Sequence, residues 1–112
     1  MVNLNNKIKL GQLKTMSQKM YSGIVKAVVD IDKNLMVVDA GLHSDQEREL
    51  LEHGSKQEDL WGINLCPNLS VDELIEFDSM INIRPMQGNN SRGVDDPKIR
   101  QKIRNLVLKL IL

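Results

Sequence analysis

The chain has 112 residues, enough for one compact core and too few for a second independent one, so a single domain over residues 1–112 is expected. A hydrophobic fraction of 41% supports that core, but the aromatics are only Tyr21, Trp61 and Phe77, which disfavours ring stacking as the main binding mode. Fifteen basic residues balance fifteen acidic ones, removing the general pull toward nucleic acid that a basic protein has and leaving room only for a local basic face.

Residues 1–9 mix Asn and Lys with isolated Val, Leu and Ile, which fits a short edge strand or a frayed end. They lack the apolar run of a signal peptide, and no later stretch is long and apolar enough to span a bilayer. Leu10, Leu13, Met16 and Met20 recur on one helical face, with Lys14, Ser17, Gln18 and Lys19 left for solvent and Ser22-Gly23 as the stop.

Ile24–Ile31 and Leu35–Ala40 are rich in Val and Ile and flank Asp32-Lys33-Asn34, which predicts a hairpin. With Ile31 opposite Leu35, Val29 faces Val37 and Val28 faces Val38, so both faces of the ribbon carry apolar pairs. Asp30 and Asp39 then point to opposite faces, which argues against a shared metal and for strand-end or solvent-facing acids.

Ser44-Asp45-Gln46-Glu47 has the spacing of a capping box and predicts a helix from Asp45 to His53, with Leu50 and Leu51 as a narrow apolar face and Gly54 at its end. His43, Asp45, Glu47 and His53 suit a divalent ion, but the capping box and the helix dipole account for three of the four. After the polar loop Gly54–Glu58, Leu60–Cys66 reads as a third main strand with Trp61, Ile63 and Leu65 on one face. Gly62, on the other face, marks a bulge or a close approach by backbone or ligand, with a bulge the commoner cause. Cys66 is the single cysteine, which fits a reducing, cytoplasmic setting.

Leu74–Pro85 alternates as a half-buried strand, with Ile75, Phe77, Ser79, Ile81 and Ile83 on one side and Glu76, Asp78, Met80, Asn82 and Arg84 on the other. The loop Met86–Asp95 follows, and Asp96-Pro97 caps a last helix whose buried stripe is Ile99, Ile103, Leu106, Val107 and Leu110. From Arg92 to Leu112 six basic residues exceed Asp95 and Asp96 by four, which reads as a solvated helix face before it reads as an anion surface. The expected fold is α+β: an antiparallel sheet of about four strands, three helices mainly on one face, and the order helix-strand-strand-helix-strand-strand-helix.

Val28–Ile31, Gly54–Asn64 and Glu76–Pro85 together make the chain resemble a family of small uncharacterised prokaryotic proteins, a domain of unknown function of about 110 residues. The resemblance spans most of residues 24–104, and its most specific segments are 54–64 and 76–96. It implies an ordinary member of that family and brings no activity, cofactor or site residue with it.

No zinc-protease, nucleotide-binding or nucleophile-elbow motif is present. The leading expectation is a noncatalytic binding or interaction module in which Asn64, Glu76, Asp78, Asn82, Arg84, Gln87, Asn89 and Arg92 recognise a small polar ligand, nucleic acid or a protein partner. The same residues could instead tie the loop to the sheet. One alternative is a metal-dependent phosphodiester hydrolase, with Glu76 and Asp78 around the ion and Arg84 or Arg92 on phosphate. Another is a structural or regulatory protein that forms a homodimer through an edge strand or through Leu108–Leu112. The residues name no cofactor.

Overall fold

In the computed structural model, residues 8–18, 23–38 and 42–111 are described. Their strands are β1 (Val25–Asp30), β2 (Leu35–Val38), β3 (Leu60–Leu65) and β4 (Ile75–Glu76), and their helices α1 (Leu10–Gln18), α2 (His43–Glu52) and α3 (Pro97–Leu110). The sheet is antiparallel in the order β2-β1-β3-β4. This is the expected α+β class and element order.

Pattern explains the layers. Ala27, Val29, Met36, Val38, Trp61, Ile63 and Leu65 cover one face and pack on Leu13 of α1 and on Ile103, Leu106, Val107 and Leu110 of α3. Val28, Val37 and Leu60 cover the other face and pack on Leu50 of α2, with Ile81 against them. Two of the three helices, α1 and α3, share one face as expected, and α2 covers the other. A ribbon apolar on both sides leaves one row of valines in water unless each side is covered.

The hairpin forms one residue out of the expected register: Asp30 pairs with Leu35, Val29 with Met36, Val28 with Val37 and Ala27 with Val38. The cause is the turn. The Asp30 carboxylate accepts the backbone N–H of Asp32 and of Lys33, each at 2.9 Å, so Asp30 closes a four-residue loop in which Asn34 is left-handed at φ 58°. Asp30 also accepts from Ser55 Oγ at 2.6 Å and is fully buried, not solvent-facing. Asp39, Met20 and Ser22 lie outside the described residues.

Three smaller corrections follow from packing. Ser17, expected in solvent, is buried and donates to the Lys14 carbonyl at 2.7 Å. Helix α2 starts at His43 with Leu42 as its cap residue and no side-chain cap, so the Ser44–Glu47 capping box does not form. Of its two leucines Leu50 is buried and Leu51 exposed. Helix α3 matches expectation, with Pro97 in its first turn and Asp96 accepting the Lys98 N–H at 2.8 Å. Ile8 sits in the core beside Ile111, its N–H donating to the Leu110 carbonyl at 2.8 Å.

The largest departure concerns Leu74–Pro85, where the ladder holds only Ile75 and Glu76. Beyond them the chain crosses over β3 in a 3-10 turn at Met80–Asn82 and a second at Pro85–Gln87, then closes through left-handed Gly88 onto an isolated Arg84–Asn89 bridge. Gly62 permits the crossing. A Cβ there would stand 2.6 Å from Cβ and Oγ of Ser79, so the glycine marks close approach and β3 has no bulge in its register with β1.

Candidate functional site

In an antiparallel ladder alternate residues turn their N–H and C=O to the same side. Asp59 gives its carbonyl to Ile31 across the β1 side, so Leu60, Gly62, Asn64 and Cys66 face the opposite edge of β3. Leu74 and Glu76 serve only the far half of that edge: the Cys66 N–H donates to the Leu74 carbonyl at 2.7 Å, and Asn64 pairs with Glu76.

Side chains complete the near half. Asn82 Oδ1 accepts the Gly62 N–H at 2.8 Å while its Nδ2 donates to the Gly62 carbonyl at 3.0 Å and to the Arg92 carbonyl at 2.9 Å. One amide thus replaces a missing strand residue. The Arg84 guanidinium donates to the carbonyls of Gln57 and Leu60 and lies over the Trp61 ring, 4.3 Å from its centroid. Its burial, with no ion-paired carboxylate among the described residues, holds its pKa below the usual arginine value, opposed by Glu47 and Asp59. Gln87 Nε2 donates to the Glu58 carbonyl at 3.0 Å.

Asn89 organises the loop that follows. Its Nδ2 donates to the carbonyls of Asn82, Ser91 and Gly93 at 2.8, 3.1 and 2.9 Å, and its Oδ1 accepts the Asp95 N–H at 2.8 Å. Ser91 Oγ and the Asn90 N–H donate to Asp95, and these bonds hold its carboxyl below the ordinary range. Asn82, Arg84, Gln87 and Asn89 are therefore engaged by backbone groups, each with bonds that a ligand would have to break.

The remaining four expected residues, Asn64, Glu76, Asp78 and Arg92, share a cleft of about 350 Å³ between α2 and the crossing segment. Register builds its floor: Lys26 of β1, Asn64 of β3 and Glu76 of β4 are successive cross-strand partners on one face. Arg92 Nε donates to Asp78 Oδ1 at 2.6 Å in an exposed ion pair at the rim. Leu42, Met80 and Ile81 supply an apolar border, Leu42 and Met80 both more than half exposed.

Asn64 is the unusual member. It is 4% exposed, and its Nδ2 donates to Glu76 Oε1 at 2.8 Å, which fixes the amide orientation. Its Oδ1 is buried with no hydrogen-bond partner among the described residues. A lone pair stripped of water and left unmatched costs about 1–3 kcal/mol, so the oxygen is primed for a donor.

His43, weighed from the sequence only as a metal ligand, forms a wall of the cleft. Its Nε2 lies 2.7 Å from the Ile63 carbonyl, which accepts, so Nε2 carries the hydrogen and Nδ1 is the titrating nitrogen. Burial lowers its pKa, Lys26 and Arg92 add to that, and the Ile63 carbonyl and Asp78 oppose it. The ring is thus neutral at pH 7. Lys26 was also missed, although a charge in the middle of a valine-rich strand was a signal. His53 is elsewhere, its Nδ1 bonded to the Glu49 carbonyl at the end of α2. Among the described residues no group of three or more His, Cys, Asp or Glu is placed to hold a metal ion, and no helix is long and apolar enough to cross a membrane.

A family model described as "Protein of unknown function (DUF5674)" matches residues 2–110. No curated protein and no solved structure matches the chain.

Proposed function

We propose a function for a chain that belongs to DUF5674, a family of unknown function, from its cleft: it is a noncatalytic binding module for a small polar ligand. The observation that carries this reading is the buried, unpartnered Asn64 Oδ1 in a cleft that also holds Lys26, Glu76, Asp78 and Arg92. Of the three partner classes open from the sequence, the small ligand is favoured by the cleft's size and by its two positive and two negative groups, which give a polyanion no net attraction. The phosphodiester hydrolase is disfavoured because Asp78 is paired with Arg92, which leaves Glu76 as the one uncommitted carboxylate of the two that would hold the ion. The module acts as a single domain in the cytoplasm, where the buried Cys66 thiol, its pKa raised by burial and then by Glu76 and Glu73, stays reduced.

Two substitutions and one titration test it. Arg84→Gln lowers the melting temperature and leaves cleft binding intact, whereas Arg92→Gln leaves melting nearly unchanged, an exposed ion pair being worth about 0–1 kcal/mol, and alters binding. Residue-resolved NMR with nucleotides, small polar metabolites, a short RNA and manganese supports the reading if small molecules give saturable shifts at His43, Asn64 and Glu76. Manganese broadening centred on Glu76 and Asp78 would restore the hydrolase and sink the binding module.

A second reading, self-association, is favoured by one observation. Leu69, Val71 and Leu108 are 53%, 67% and 49% exposed around an apolar groove that also includes Leu10, Leu74 and Ile111. Light scattering at high concentration decides it, since a strictly monomeric mass removes the homodimer.

A further inference from the structure

A row of three side chains on the cleft floor carries a positive charge, an amide and a negative charge in that order. Lys26, Asn64 and Glu76 occupy neighbouring positions on β1, β3 and β4, so their side chains rise from the same face. Two strand spacings, about 10 Å, separate the outer backbones, a span that the flexible lysine stem shortens. Glu76 spends Oε1 on Asn64 Nδ2, and Asn64 Oδ1 has no partner among the described residues. The unpartnered Asn64 oxygen and the Glu76 carboxylate at the neighbouring position suit a cationic N–H donor, while Lys26 on the other side suits an anionic group.

We infer, resting on the binding reading above, that the cleft takes a small zwitterion of the α-amino-acid type, its ammonium on Asn64 Oδ1 and Glu76 and its carboxylate toward Lys26. The apolar border of Leu42, Met80 and Ile81 would receive an aliphatic side chain. The rim pair Arg92–Asp78 neutralises itself, so the floor row alone sets the charge pattern, and that pattern sums to zero with one pole at each end. An oxygen already stripped of water costs nothing further to desolvate when an ammonium arrives, so one bond there gains most of its strength.

The test follows amide and side-chain NMR signals of Lys26, Asn64 and Glu76 during titration with L-leucine, N-acetyl-L-leucine and L-leucinamide. Leucine gives saturable shifts confined to the cleft, and each analogue, which lacks one pole, binds about tenfold or more weakly. Glu76→Gln keeps an acceptor for Asn64 Nδ2 and so keeps the fold, with unchanged melting, but weakens leucine by about tenfold. If leucinamide or N-acetyl-leucine binds as well as leucine, the zwitterion inference is wrong. Should a nucleotide or another polar probe shift the cleft while leucine does not, the inference falls and the binding module stands. Silence from every probe overturns both.

Discussion

Gly62 and Asn82 show how much of this molecule turns on single atoms. A methyl at Gly62 meets Ser79 at 2.6 Å and Ile81 at 3.1 Å, so Gly62→Ala is expected to destabilise by about 1–3 kcal/mol in denaturant unfolding. Asn82→Ala removes both partners of the Gly62 peptide groups in a buried setting and is expected to cost about 3 kcal/mol by the same measurement. Asn82 belongs to a sequence row that reads as solvent-facing, and nothing in one chain says that an asparagine will pair with a backbone 20 residues earlier. His43 gives a pH signature. Its folded pKa lies below its ordinary value of 6.5, so below that pH the unfolded chain takes up a proton that the folded chain resists. Its contribution is complete above pH 6.5 and is lost as pH falls from there toward the lowered folded value. The melting temperature is expected to drop as pH falls below about 6.5, and His43→Gln to flatten that slope while carboxylate effects near pH 4 persist.

The helix starts differ in what local spacing could show. Asp96-Pro97 specifies its own end of α3, because cap and first-turn proline act within three residues, and the structure has both. Ser44–Glu47 has equally good local chemistry, yet α2 begins one residue before it, where His43 is held by the Ile63 carbonyl. Asp96→Ala is accordingly expected to cost about 1 kcal/mol, and Ser44→Ala to stay within about 0.5 kcal/mol, in paired thermal melts. Equal losses would mean that the capping box forms in solution. The edge of β3 follows the same logic: a two-residue strand suffices because Asn82 and Arg84 satisfy the rest of the edge from above.

Across the whole molecule, β3 is buried along its full length and paired with β1 at six positions, while β4 adds two. Native-state hydrogen exchange is therefore expected to be slowest at the β1–β3 amides, near the global unfolding free energy, and faster at Glu76 in the two-residue β4. Protection of β4 equal to that of β3 would show that the crossing segment locks the edge as firmly as a full strand. By itself the sequence determined the class, the element order, the hairpin, the cap of α3 and the apolar rows of β1, β2 and β3, though not the row of Leu74–Pro85, because period and capping act over a few residues. It also pointed to the polar set, of which Asn64, Glu76, Asp78 and Arg92 meet in one cleft. Tertiary structure alone decided the two-sided cover of the sheet, the one-residue register and the division of that set into edge caps and cleft walls. Those outcomes depend on which backbone groups still lack partners once the sheet has formed, and that is a property of the assembled fold rather than of any segment.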